Sequence, residues 1–324
     1  MHFAALRTWL RRGHPGPPEA SDADVPPDAA SAEPGGDVPA MPDSAATPEP
    51  AAAPTWPASR LAVAEELWGS GFLNPGGADE VLRLATPIGL SAASTLLLLG
   101  VGAGGPAQAL ATERGIWVAG FEADPELAVL AARRIQRAGD ALAKRATVAP
   151  WDPAAPRFRP RLANHALGLD AIRDAPPAPA LAAIAGALRP HGHIVLSETV
   201  TTEPLDPDDP AIAMWCRLEG RRPCLPEPEA VTRGLSRLGF DVRVVEDISA
   251  RHMRLAVLGW RHFVRLMARE RPDHERAAAV VEQAELWTRR IRLMHSGRIR
   301  LMRWHAIGPA TPLVAEGEAQ GPRA

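Results

Sequence analysis

The chain has 324 residues, 36 Lys+Arg against 38 Asp+Glu and a formal charge of −2, so no global field favours nucleic acid, and phosphate-backbone binding would need a local basic patch. Two cysteines, Cys216 and Cys224, cannot staple a secreted scaffold and fit a reduced, cytoplasmic setting. The longest apolar run, near residues 95–101, is far short of the roughly 20 residues of a membrane span, and the opening MHFAALRTWLRR lacks the charge order of a signal peptide.

Residues 1–59 read as a disordered tail, Pro/Ala-rich and acidic, with a short amphipathic segment at its start, a composition suited to a protein partner. From residue 60 to 308, strand and helix signals alternate, which predicts an α/β layered domain; 309–324 read as a second disordered tail. Leu61 to Leu67 predicts a helix, WGSGFLNPGG (68–77) a Gly/Pro loop and Ala78 to Leu84 another helix. TLLLLG (95–100) is a continuous apolar strand of the buried parallel kind, and it runs into GVGAGG (100–105) with Pro106 suited to a first helical turn. IWVAGF (116–121) predicts the next strand, Asp124 and Pro125 a helix start, and Gly139 its stop. ATVAP (146–150), LANHALGL (162–169), HIVLSE (193–198), FDVRVVED (240–247) and RIRLMRWHAI (298–307) complete the expected strands. Helices are expected between them, with two long ones near Arg251–Arg269 and Asp273–His295. On these, Trp260, Phe263, Val264 and Met267, and Val280, Val281, Ala284, Trp287, Ile291 and Met294, fall at helical spacing and predict core seams. His165, inside a strand, reads as a hydrogen-bonded near-core residue, and the histidines and cysteines make no metal spacing.

Chemistry concentrates where strand meets glycine loop meets helix. Glycines let the backbone approach a ligand, the helix N-terminus offers unpaired N–H groups, and Glu122 after the following strand can accept both hydroxyls of a ribose. Gly100, Gly102 and Gly105 also satisfy GxGxxG, so the loop alone leaves an NAD site open beside an S-adenosylmethionine site. GALRPHGHIVLSE (186–198) and the late strand RIRLMRWHAI resemble the second half of the class I methyltransferases, and with a loop-helix segment ahead of the glycine loop this resemblance favours the S-adenosylmethionine reading and implies that family's architecture. That is a Rossmann-like seven-stranded sheet with its last strand antiparallel and a helical lid from Ser249 to His295.

WGSGFLNPGG (68–77), LDAIRD (169–174), SETVTTE (197–203), EGRRPCLPEPE (219–229), EDIS (246–249) and WTRRI…GRIRLMRW (287–304) together resemble, in the same order, the phosphoethanolamine N-methyltransferases. The resemblance implies S-adenosylmethionine as cofactor, with Gly100, Gly102 and Gly104 around its methionine end, Glu122 on its ribose, Asp152 on its adenine and Asn74 on the lid segment beside it. It implies a small-molecule acceptor reached by Leu73, oriented by Asp170 and held at an anionic group by Arg221 and Arg290. The chain also departs from that family. It has no tyrosine, so the family's Tyr/His catalytic pair is missing, and Asp174 stands at the His position. Thr199 and Pro223 replace tyrosines, Leu98 an acid near the glycine loop, and Asn164 a fourth-strand Asp. These departures argue against phosphoethanolamine itself and leave two expectations: methyl transfer to another small anionic metabolite, or a catalytically silent relative that binds a nucleoside or a protein.

Overall fold

A computed structural model describes residues 55–310 apart from Asp174, Glu270 and Arg271; the expectations for residues up to 54, for those beyond 310 and for Asp174 lie outside the described residues. Helices α1 (Ala58–Trp68) and α2 (Gly77–Ala85) bracket the 69–76 loop ahead of the first strand. Strand β1 (Thr95–Leu99) leads into α3 (Gly105–Arg114), and β2 (Trp117–Glu122) into α4 (Pro125–Arg137). Asp124 caps α4 by accepting the N–H groups of Glu126 and Leu127, with Pro125 at the first position as the sequence predicts.

The expectation at Gly139 holds in part. The helix stops before it as expected, at Arg137, but this glycine (φ +112) also opens a further short helix that was not expected, α5 (Asp140–Arg145), before β3 (Ala146–Pro150). None of the α5 residues is buried, so no apolar periodicity announced it. The chain continues through β4 (His165–Leu169), α6 (Pro177–Ala187), β5 (His193–Val200), α7 (Pro210–Glu219), α8 (Pro228–Arg237) and β6 (Asp241–Asp247). It ends with α9 (Ser249–Met267), α10 (His274–His295) and β7 (Arg300–Ile307). β4 begins three residues later than expected, because Ala163 makes only an isolated bridge to Leu188.

The strands form one sheet in the order β3-β2-β1-β4-β5-β7-β6, with β7 antiparallel to both its neighbours and the other pairs parallel. Leu96 to Leu99 are completely buried, which is why β1 is apolar on both faces. One face packs Leu97, Leu99, Ala166, Ile194, Leu196 and Trp304 against Leu181 and Ile184 of α6 and Val231 and Leu235 of α8. Each such fully buried aliphatic side chain stabilises by about 1.5–3 kcal/mol. On α9 and α10 the expected seams hold for Trp260, Phe263, Met267, Val280, Trp287 and Met294, while Val264 and Val281 turn to solvent.

The chain order reverses between β1 and β4, the place where an open α/β sheet gathers ligands at the carboxyl ends of its strands. Register makes this a single row. Leu99 pairs with Phe121 and with Gly168, and Leu169 with Ser197, so Gly100, Glu122, Asp170 and Thr199 emerge along one edge. Among the described residues, no helix is long and apolar enough to cross a membrane.

Candidate active site

At the β1–β3 end the geometry is made by backbone. Gly100, Gly102 and Gly104 have φ of +73, +58 and +102, values that side chains resist. A methyl on Gly100 would lie 2.0 Å from the carbonyl oxygen of Leu169, so no larger residue fits that turn. Glu122 is buried at the end of β2; its Oε2 accepts the Gly102 N–H at 2.6 Å and its Oε1 the Asp124 N–H at 3.1 Å. Burial pushes this carboxyl up, against the pull of those two N–H groups and Arg173. The acid is thereby fixed directly across the glycine loop.

Asp152 lies just past β3, where the Trp151 N–H donates to the Glu122 carbonyl at 3.1 Å, so the two acids occupy neighbouring strand ends. Asp152 is exposed, and its Oδ1 accepts the Ala154 N–H at 2.8 Å, making the turn that its position before proline suggests. Leu73 reaches the same place. A methyl on Gly102 would come within 3.2 Å of Leu73 Cδ1, which puts Leu73 against the glycine loop. Asn74 follows it, exposed. The 69–76 loop is tied down by a bond from the Gly105 N–H to the Gly71 carbonyl (3.0 Å) and by Arg134 of α4, which reaches Ser70 and Glu65. Arg251 of α9 adds a 2.8 Å ion pair to Glu80 of α2. Leu98 is fully buried in β1, and Asn164 uses its Oδ1 to accept the Thr95 N–H at 2.8 Å, a bond that fixes β4 against β1.

The β4–β5 end is made by charged side chains instead. Among the described residues, Asp170 is one of three non-glycine residues with positive φ (+52), a conformation Asp tolerates. Its N–H donates to the Ser197 carbonyl at 2.7 Å, its Oδ1 accepts the Thr199 N–H at 3.0 Å, and its Oδ2 lies 3.3 Å from Arg221 Nη1. Burial would raise its carboxyl, but Arg221, then Arg290 and Arg173, hold it well below the usual carboxylate range. Glu198, which has no exposed surface, accepts the N–H groups of Ala171 and Ile172 at 3.0 Å each, locking the turn that presents Asp170. Burial first, and the charge of Asp170 second, push Glu198 up.

Arg221 and Arg290 converge on Glu219, the pairing that the family resemblance implies. Gly220 (φ +64) ends α7 and turns the chain so that the Arg221 N–H returns to the Cys216 carbonyl at 3.0 Å. Arg173 donates to the carbonyls of Glu219 and Gly220 at 3.0 and 3.2 Å, a cation at a helix C-terminus. Arg290, on the buried face of α10, donates to Thr199 Oγ1 at 2.9 Å and to Glu219 Oε1; Arg221 Nη1 lies 3.8 Å from that same oxygen.

Sequence reasoning missed three residues here: Glu198, Glu219 and His252. The first two lie inside motifs singled out above, but nothing local marks them as buried. His252, in the first turn of α9, shows no sequence signal. It is buried, its Nε2 has no hydrogen-bond partner, and its ring lies 5.5 Å from that of Trp287, which in turn lies 5.6 Å from the Arg290 guanidinium carbon. Burial and then Arg290 lower its imidazole to about 3, with Asp170 pulling the other way. Trp68 closes the group, 5.1 Å edge-on to Trp287.

Three other histidines, His165, His193 and His305, sit together at the opposite edge of the sheet. His165 Nδ1 accepts the His193 N–H at 3.0 Å, and His193 Nδ1 lies 3.1 Å from His305 Nε2. Among the described residues, no group of three His, Cys, Asp or Glu could hold a metal ion.

No protein-family model matches the chain. Phosphoethanolamine N-methyltransferase 2 of Caenorhabditis elegans is 28% identical over 135 residues, which is 41% of this chain and 30% of that protein. Among solved structures, Haemonchus contortus phosphoethanolamine N-methyltransferase 2, in complex with phosphomonomethylethanolamine and S-adenosylhomocysteine, superposes with a TM-score of 0.65 at 20% identity, covering 77% of this chain and 57% of that one. The [4+2]-cyclase SpnF superposes at 0.58 with 19% identity, covering 78% and 93%. The chain therefore spans less than a third of the curated relative it matches and little over half of the nematode structure. At these identities the superpositions establish the class I methyltransferase fold, and the cyclase among them illustrates that this fold carries more than one chemistry.

Proposed function

We propose that this chain transfers a methyl group from S-adenosylmethionine to a small acceptor bearing an anionic group. The observation that carries the reading is Glu122, fixed by the Gly102 N–H across a loop of three left-handed glycines and flanked by Asp152 on the next strand. A ribose diol suits a carboxylate so placed, and the N-terminus of α3 suits the carboxylate of a methionine moiety. Bound there, S-adenosylmethionine supplies a methyl carbon on a sulfonium. Leu73, lying on Gly102, and the neighbouring Asn74 wall the loop on one side. On the acceptor side, Asp170 holds Arg221 in place, and Arg221 and Arg290 meet the anionic group. Alignment of the nucleophile with the carbon–sulfur bond does the rest.

The test is calorimetric titration with S-adenosylmethionine, S-adenosylhomocysteine and NAD, on the wild type and on Glu122→Ala. Micromolar binding of the two adenosyl ligands, weakened about 100-fold in the variant through loss of two charge-assisted hydrogen bonds, supports the reading. Binding of NAD alone would replace it with an oxidoreductase. A second reading, a nucleoside-binding protein without transfer activity, is favoured by Leu98, which puts a buried alkyl group where the resembling family has an acid. Adenosyl-ligand binding with no S-adenosylhomocysteine released from any of a panel of phosphorylated and carboxylated acceptors would select it.

A further inference from the structure

Resting on the methyl-transfer reading, we propose that Glu219 is an internal occupant of the Arg221–Arg290 site, a carboxylate that an acceptor's oxyanion must displace and that thereby sets which acceptors bind. The two guanidinium side chains are 0% and 5% exposed, and Glu219, at 10%, is enclosed with them. Its Oε1 serves both arginines, accepting from Arg290 and lying 3.8 Å from Arg221. Its Oε2 is buried with no hydrogen-bond partner, and so is Arg290 Nε. The contact is thus one-sided: one oxygen does all the bonding, while an acceptor atom on one partner and a donor atom on the other stay unused.

A guanidinium binds an oxyanion best through two parallel hydrogen bonds, so a phosphate or carboxylate with free orientation can satisfy the Arg290 edge better than a carboxylate tethered to α7. The tether itself is unfavourable. Glu219 is the last residue of α7, where the helix dipole opposes negative charge. The rest of the cluster stays charge-paired when Glu219 leaves, because Asp170 remains bound to Arg221 and to the Thr199 N–H. Replacing an internal anion by an external one keeps the buried charge count level, whereas a neutral acceptor would leave Glu219 where it is.

The experiment is calorimetric titration of inorganic phosphate, with acetate as a second probe, into full-length protein saturated with S-adenosylhomocysteine. Glu219→Gln keeps the side-chain shape and removes the competing charge, so phosphate affinity is expected to rise about tenfold or more over the wild type. Combining it with Arg290→Met is expected to abolish the gain. Equal affinity in wild type and Glu219→Gln, or a gain that survives loss of Arg290, overturns the proposal. No phosphate or acetate binding to Glu219→Gln while S-adenosylhomocysteine still binds also overturns it, and leaves the methyl-transfer reading standing. Failure of S-adenosylhomocysteine to bind the wild type sinks that reading instead, and the phosphate comparison between the two proteins still decides the role of Glu219.

Discussion

The two halves of the sheet's carboxyl edge hold their chemistry by different means. At β1–β3 the positions are set by backbone: three left-handed glycines, N–H groups turned toward Glu122, and a loop at 69–76 bonded to the start of α3. At β4–β5 they are set by buried charges delivered from far apart in the chain, with Asp170, Glu219, Arg221 and Arg290 in contact and His252 and Glu198 around them. A backbone cradle tolerates little change and suits a ligand that never varies. A cluster of side chains can be altered residue by residue, so the same fold can keep its cofactor and change its acceptor.

The contrast can be broken most sharply at Gly100. Gly100→Ala combines a positive φ with a methyl 2.0 Å from a backbone oxygen, and is expected to cost about 5 kcal/mol, seen as loss of cooperative unfolding or a steep fall in the denaturant midpoint. Next comes Arg290→Met, which strands the Glu219 carboxylate in a buried site and is expected to cost about 4 kcal/mol in urea unfolding. Adding Glu219→Gln should recover much of that loss; a strictly additive double variant would show that the two residues are not coupled.

Acid separates the halves again. His252 is neutral in the fold, so the unfolded chain takes up a proton near pH 6.5 that the folded protein refuses until about pH 3. Its contribution is complete above pH 6.5 and fades as the pH falls, amounting to a loss of about 3 kcal/mol by pH 4. His252→Gln should flatten that part of the stability–pH curve; a curve unchanged by the substitution would contradict the buried neutral imidazole. The smallest effect belongs to Asn164. Asn164→Ala loses the bond to the Thr95 N–H and is expected to cost about 1 kcal/mol, whereas Asn164→Asp keeps an acceptor there and should unfold at nearly the wild-type midpoint.

How much was legible in advance follows the same division. GVGAGG and Glu122 announce themselves because a turn that excludes side chains and an acid at a strand end are local properties, readable from spacing. The Asp124–Pro125 cap is local too, and it formed as expected. Helix α5 was not legible, since a helix with no buried face leaves no apolar period. Arg221 and Arg290 could be paired from the family resemblance, but not the carboxylate between them. Asp174, the other departure noted in that region, lies outside the described residues.

The sequence by itself determined the alternation of strands and helices, the buried parallel strand, the glycine loop and the acids that follow it, because each depends on residues a few positions apart. Only the tertiary structure decided which charges meet. Glu219 faces Arg290 from 71 residues away, and His252 comes within the field of Asp170 from a helix that begins after β6. A buried ionisable group has a function only through its neighbours, and those neighbours are chosen by packing rather than by order along the chain.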